Sequence, residues 1–243
     1  MGSPVAARLQ ILDVFRGSAI VLMVAYHFCF DLGYFGHIRA DFNHDWRWLS
    51  FRAIILSSFL LTAGASLGIS AARGLNAHRF LKGLGQVAGA AALVSLGSWL
   101  VFPRSWIFFG VLHCIALSRI IGLAFIGRPQ AALGTGVAVT IAGHIFHIPA
   151  LDAPALRWIG MMTFKPLTED YVPLFPWTGM FLTGMWVGDQ LLRSEPMKAL
   201  RRWESRSTAV QLLAWAGKRS LIIYLLHQPL LFAVFYAVRA LRG

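Results

Sequence analysis

A chain of 243 residues that is 57% hydrophobic and 13% charged, with a mean hydropathy of +0.64, has the composition of an integral membrane protein and excludes an ordinary soluble domain. The length suits a single domain, residues 1–243, of about seven spans at about 20 apolar residues each. The net charge of +12 falls in the gaps between apolar runs, where it serves topology and lipid headgroups; no basic face with aromatic platforms or a reading helix exists, which excludes nucleic acid as a partner.

Apolar runs predict spans over residues 9–34, 50–72, 83–102, 106–126, 131–148, 173–192 and 220–240, an all-α polytopic transmembrane helix bundle. In the first run Arg8 and Arg16 precede apolar sequence as in a signal peptide. Asp13 interrupts the pattern, however, and no small-residue cleavage site follows, so a retained first helix is expected.

That helix carries the most informative pattern. At about 100° per residue, Asp13, Arg16, Ile20, His27, Asp31 and Tyr34 fall within an arc of roughly 60°, a polar stripe along an apolar rod. A charge at bilayer depth costs at least about 2.5 kcal/mol, so the stripe is expected to face a bundle interior or a wet cavity. Asp13 and Arg16, three apart, can pair, or Arg16 can meet a phosphate. His27 lies about 16 Å along the helix from Arg16. Asp31 follows one turn later, where its carboxylate could orient the imidazole and raise its basicity. This is a general-base arrangement, and equally a neutralised pair stitching helices together.

In the connection after the first run, His37 and His44 read as titrating surface groups, and Asp41 and Asp45 offset Arg39 and Arg47. Gly64, Ser66, Gly68, Gly85 and Gly89 suit close helix packing in lipid. Arg73, Arg79 and Lys82 mark a cytoplasmic connection, as do Arg193, Lys198, Arg201, Arg202, Arg206, Lys218 and Arg219 further on; with Arg8 they set the N-terminus in the cytoplasm. Seven crossings leave Arg239 and Arg242 outside, against that rule. Cys29 and Cys114 sit inside spans as small buried apolar residues.

His113 lies in Phe109-Gly110-Val111-Leu112-His113, and His227 precedes Gln228-Pro229, where proline opens the backbone. His144 and His147, three apart, make a weak metal pattern with no accompanying Glu, and no metal is expected. Glu169 and Asp170 precede Pro173-Leu174-Phe175-Pro176-Trp177. There Tyr171 and Trp177 suit interfacial anchoring, and the acidic pair could receive a polar or cationic acceptor. Residues 208–217 suit an interfacial helix.

The segments Leu12-Asp13-Val14-Phe15-Arg16-Gly17, Tyr26-His27-Phe28, Phe109-Gly110-x-Leu112-His113, the Pro-Trp span entrance, and Gly217-Lys218-Arg219-Ser220 through Tyr224-Leu225-Leu226-His227-Gln228-Pro229 resemble the heparan-α-glucosaminide N-acetyltransferase catalytic-domain family, particularly its small bacterial members. The resemblance implies a membrane acyltransferase that takes an acyl group, acetyl above all, from cytosolic acetyl-CoA or another acyl-CoA and passes it to a sugar amine or hydroxyl. The acceptor class for a bacterial inner-membrane chain is an envelope glycan. It implies that Arg16, Lys218 and Arg219 meet the coenzyme phosphates, and that His27, oriented by Asp31, deprotonates the acceptor. Asp13, Tyr34, His113, Asp170, Trp177 and His227 then become candidates to line the substrate cavity. In the heparan enzyme an asparagine stands at the position of His27 and a following loop histidine is the proposed catalytic residue, which His37 approaches after a gap. The residues alone leave two other classes open: a small transporter relaying protons through Asp13, His27 and Asp31, and a noncatalytic bundle of an envelope complex.

Overall fold

The computed structural model describes residues 8–241, so Arg242 lies outside the described residues. Nine helices run through them: α1 Gln10–Tyr34, α2 Trp46–Ala72, α3 Ala77–Val101, α4 Val111–Gly122, α5 Pro129–Ile145, α6 Leu174–Arg193, α7 Lys198–Arg202, α8 Thr208–Lys218 and α9 Ser220–Leu241. Among the described residues there is no β-strand, only an isolated parallel bridge between Phe109 and Tyr171. By length and composition α1, α2, α3 and α9 can each cross a membrane, and Val111–Phe125 forms a shorter apolar helix. Four helices therefore meet that measure where seven spans were expected. α3 and α9 turn most of their apolar surface outward, as helices bathed in hydrocarbon do.

The chain forms two compact units, one ending at Ser58 and resuming at Glu195, the other Phe59–Ser194. In the first, α1 buries Asp13, Gly17, Ala19, Ile20, Met23, Tyr26 and Asp31, an inward stripe at helical spacing, while Phe15, Val21, Leu22 and Phe28 face out. α8 packs antiparallel on its lower half through glycines. A Cβ on Gly17 would run into the carbonyl of Leu213, and one on Gly217 into the carbonyl of Asp13. Helices in lipid associate by packing rather than by a hydrophobic pull, so such small-residue crossings set where they sit. Segment 208–217 is thus a helix laid on α1. Past α1 the chain turns at Gly36, φ +78°, and Phe42 folds back on Tyr26, ring centroids 5.8 Å apart, joined there by Trp48 and Phe51.

In the second unit α2 and α6 run parallel with interlocked glycines: Gly64 and Gly68 meet the backbone of Phe181 and Met185, and Gly184 and Gly188 meet that of Leu61 and Ala65. α5 lies antiparallel to α6 through Gly136, Gly143 and Gly179. Gly85 and Gly89, expected to pack in the same way, face open space with no atom within 4 Å of an added Cβ.

The fourth apolar run is helical only from Val111. Its opening residues are extended because their backbone groups pair with the stretch before α6: Glu169 N donates to Ser105 O at 2.8 Å, Val172 N to Phe109 O at 3.1 Å, and Thr168 Oγ1 to Trp106 O at 2.8 Å. Asp152 accepts from the backbone N–H and hydroxyl of Thr163, which hold its carboxyl below the usual carboxylate range.

Candidate active site

In the first unit the far half of α1 meets the opening turns of α9. His27 Nδ1 lies 2.9 Å from the Met23 carbonyl oxygen, one turn back on its own helix. A carbonyl only accepts, so Nδ1 carries the proton and Nε2 holds the lone pair of the neutral ring. His227 repeats the arrangement, its Nδ1 2.6 Å from the Tyr224 carbonyl oxygen. The two rings meet edge to face with centroids 4.8 Å apart at 71°.

Beside them Asp31 has no exposed surface, and its Oδ1 accepts from Gln228 Nε2 at 2.8 Å. The Met23 carbonyl, rather than Asp31, therefore fixes the His27 tautomer. A backbone carbonyl of the same helix needs no rotamer to be frozen, whereas Asp31 is drawn across to α9.

Three buried atoms here have no hydrogen-bond partner among the described residues: Asp31 Oδ2, Gln228 Oε1 and His227 Nε2. All three are acceptors. Buried polar groups are ordinarily satisfied, so this spot has the chemistry to take a group that presents N–H or O–H donors.

At the other end of α1, Asp13 is 2% exposed and sits under two cations: Arg8 Nε is 2.9 and 2.7 Å from its two oxygens, and Arg16 Nη1 is 3.8 Å from Oδ1. Gln10 clamps the backbone of Ser205 with both ends of its amide, at 3.0 and 2.7 Å. Because Gly217 closes on Asp13 and Gly17, the exposed Lys218 and Arg219 that follow it come to the end of α1 that carries Arg16. Arg219 stands 4.8 Å over the Trp215 ring. Cations thus gather at one end of α1, and the imidazole pair stands about 16 Å along it.

Two candidates lie apart from the imidazole pair. Tyr34 shares the arc of the stripe, yet it is the last helical residue and 56% exposed, its ring against Phe35 and Phe232. His37 is exposed and stacks at 6.1 Å on Phe235, which is eight residues, about 12 Å, further along α9 than His227.

In the second unit His113 and Asp170 hold the start of α4. Gly110 N donates to His113 Nδ1 at 3.2 Å, the other ring nitrogen lies 3.2 Å from Ser95 Oγ, and that hydroxyl donates to Ile107 O at 2.6 Å. Asp170 Oδ2 accepts from Val111 N at 2.9 Å, a carboxylate at the positive end of a helix. Tyr171 donates to the Arg157 carbonyl at 2.6 Å, and burial pushes its phenol up to about 12. Trp177 is half-buried in the first turns of α6.

A cavity of about 280 Å³ lies among His147, Thr163, Lys165, Tyr171 and Phe175, and no residue of the imidazole cluster lines it. His144 is held by the Thr140 carbonyl at 2.7 Å. Among the described residues no group of three or more His, Cys, Asp or Glu converges as around a metal.

Gln228 is the member of the cluster that sequence reasoning overlooked. Its signal was an amide set within an apolar run, directly after a histidine already singled out.

No curated protein and no solved structure matches this chain. The family described as heparan-alpha-glucosaminide N-acetyltransferase, catalytic, matches residues 8–229, a stretch that takes in both the cationic end of α1 and the imidazole pair with Gln228; the chain belongs to that family of membrane acetyltransferases.

Proposed function

We propose that this protein is an acyltransferase of a bacterial inner membrane, its N-terminus cytoplasmic, moving an acetyl group from cytosolic acetyl-CoA to the amine or hydroxyl of an envelope glycan sugar. The observation that carries the reading is the cluster of Asp31 Oδ2, Gln228 Oε1 and His227 Nε2, three buried acceptors without donors where the His227 ring meets that of His27 at 4.8 Å. A sugar amine or hydroxyl brings the donors that this set lacks. Arg16, Lys218 and Arg219 at the other end of α1 supply charge-assisted hydrogen bonds for the donor's phosphates, and the long pantetheine arm suits the distance between the two ends.

His27 Nε2 takes the proton as the acceptor nitrogen or oxygen bonds to the thioester carbonyl carbon. The C–S bond then breaks, the coenzyme A thiolate leaves, and the imidazolium returns the proton to that sulfur. The carboxylate of Asp31, held by Gln228, supports the transient positive charge of the ring. His227 and Asp13 serve as the second imidazole and as the anchor of the cationic end. Tyr34 and His37 flank the acceptor's approach from the loop side.

The test is transfer of radiolabelled acetyl from acetyl-CoA to envelope glycan fractions by purified protein. His27→Ala is expected to lose about 10²–10⁴ in rate. Coenzyme A should still raise its melting temperature, because a native-state ligand stabilises whatever it binds. Transfer at the wild-type rate by His27→Ala overturns the assignment.

A further inference from the structure

Arg119, in the last turn of α4, is a cation that pairs with no carboxylate of its own unit among the described residues. Its guanidinium lies across the opening turns of α3, over the Phe80 ring at 5.2 Å, with Nη2 3.5 Å from the Phe80 carbonyl oxygen, a long and weak contact. Nε is buried and has no hydrogen-bond partner. Gly83 makes the room: a Cβ there would stand 3.1 Å from Nη2.

No carboxylate of its own unit pairs with it among the described residues. The sequence has no Asp or Glu between Asp45 and Asp152, and the four acidic residues of this unit are engaged elsewhere: Asp152 by Thr163, Glu169 by Ser105, Asp170 by the Val111 N–H and Asp189 by Arg193. Arg79 and Lys82, exposed on the same opening turns of α3, add positive field.

A half-buried guanidinium on an apolar helix costs free energy unless something offsets it. Five N–H groups in a planar fork, with a single long acceptor, match a phosphate's oxygens.

We propose that Arg119, with Gly83 providing the space and Arg79 and Lys82 the field, forms a phosphate-binding site on the α3–α4 face. The phosphate comes from an acidic phospholipid headgroup or from a soluble phosphate ester. α3 turns most of its surface outward, so lipid has room to lie along this helix.

The experiment reconstitutes the full chain in nanodiscs of phosphatidylglycerol or of a neutral galactolipid. A third arm keeps the protein in nonionic detergent with inorganic pyrophosphate. Retained lipid is counted by native mass spectrometry, and melting temperature is followed in every arm.

Wild-type protein is expected to retain phosphatidylglycerol and melt higher in it than in galactolipid. Arg119→Gln is expected to bind it about tenfold more weakly, the loss of a charge-assisted bond. Arg119→Lys, which keeps the charge and loses the fork, should fall between the two, and it carries the test if the glutamine variant does not fold. Arg104→Gln, at an exposed position outside this face, should leave retention unchanged. An Arg119-dependent rise in melting temperature with pyrophosphate and no lipid assigns the site to a soluble phosphate ester. Equal retention and equal melting of wild type and both Arg119 variants in every arm overturn the proposal.

Discussion

Substituting Gly17 by alanine tests whether the α1–α8 crossing positions the cationic end of α1. The added methyl would stand 2.7 Å from the carbonyl carbon of Leu213 and 3.1 Å from the backbone nitrogen of Gly217, where ordinary contact begins at 3.4 Å. Both neighbours are main chain and the Leu213 carbonyl oxygen lies nearer still, so no side-chain rotamer can relieve the clash and the helices must part by more than about 0.7 Å, enough to forfeit at least a quarter to a half of the dispersion attraction along the seam. Overpacking of this kind costs about 1–3 kcal/mol, or roughly 2–12 °C in melting temperature for a chain of this size. The matched control is Gly85→Ala, where nothing lies within 4 Å of the new methyl; there the better helix propensity of alanine should add about 0.5–1 kcal/mol. Scanning fluorimetry in detergent reads both. The same parting moves Lys218 and Arg219 with Gly217, so Gly17→Ala should also raise KM for acetyl-CoA more than it lowers kcat. A Gly17→Ala protein that melts at or above the wild type, with Gly85→Ala below it, refutes the reasoning.

Two further predictions concern hydrogen-bonded carboxylates. Gln228→Leu removes the donor on Asp31 Oδ1 and should cost about 1.5–3 kcal/mol in stability if that carboxylate is the charged partner. In a thermal double-mutant cycle with Asp31→Asn the two changes should then couple, and additivity within about 0.5 kcal/mol counts against the pairing. Asp170→Ala should destabilise α4 by about 0.5–2 kcal/mol through loss of the acceptor on Val111 N, and Asp170→Asn, whose amide oxygen still accepts, should lose much less. Equal melting temperatures for the two Asp170 variants argue against a capping role.

The stripe on α1 was legible because a helix has one period, and burial of Asp13, Ile20 and Asp31 follows from it directly. Tyr34 lies in the same arc, but periodicity says nothing about how fully a neighbouring helix covers each turn, and at the last turn it stays 56% exposed although its ring meets Phe232 of α9. The identity of the imidazole partner was similarly hidden. An i, i+4 spacing shows which side chains can meet, whereas the competition between Asp31, the Met23 carbonyl and Gln228 is settled by where α9 passes. The extended opening of the fourth apolar run escaped hydropathy for the same kind of reason. Its backbone is satisfied by residues some sixty positions later, a pairing no local window contains.

Glycine carried a signal that composition alone could not sort. Gly64 and Gly68 lock α2 to α6, Gly85 and Gly89 touch nothing, and all four sit in apolar runs rich in small residues. What separates them is whether a partner glycine recurs at matching spacing, as Gly184 and Gly188 do for the first pair. Asp13 to Gly17 and Leu213 to Gly217 have that spacing too, and each glycine meets the carbonyl four residues before the other. Gly217 is followed at once by Lys218 and Arg219, so the residue that closes the crossing also delivers the cations to Arg16. Packing and charge at that end of α1 are therefore one feature of the sequence: whatever widens the crossing carries Lys218 and Arg219 away from Arg16.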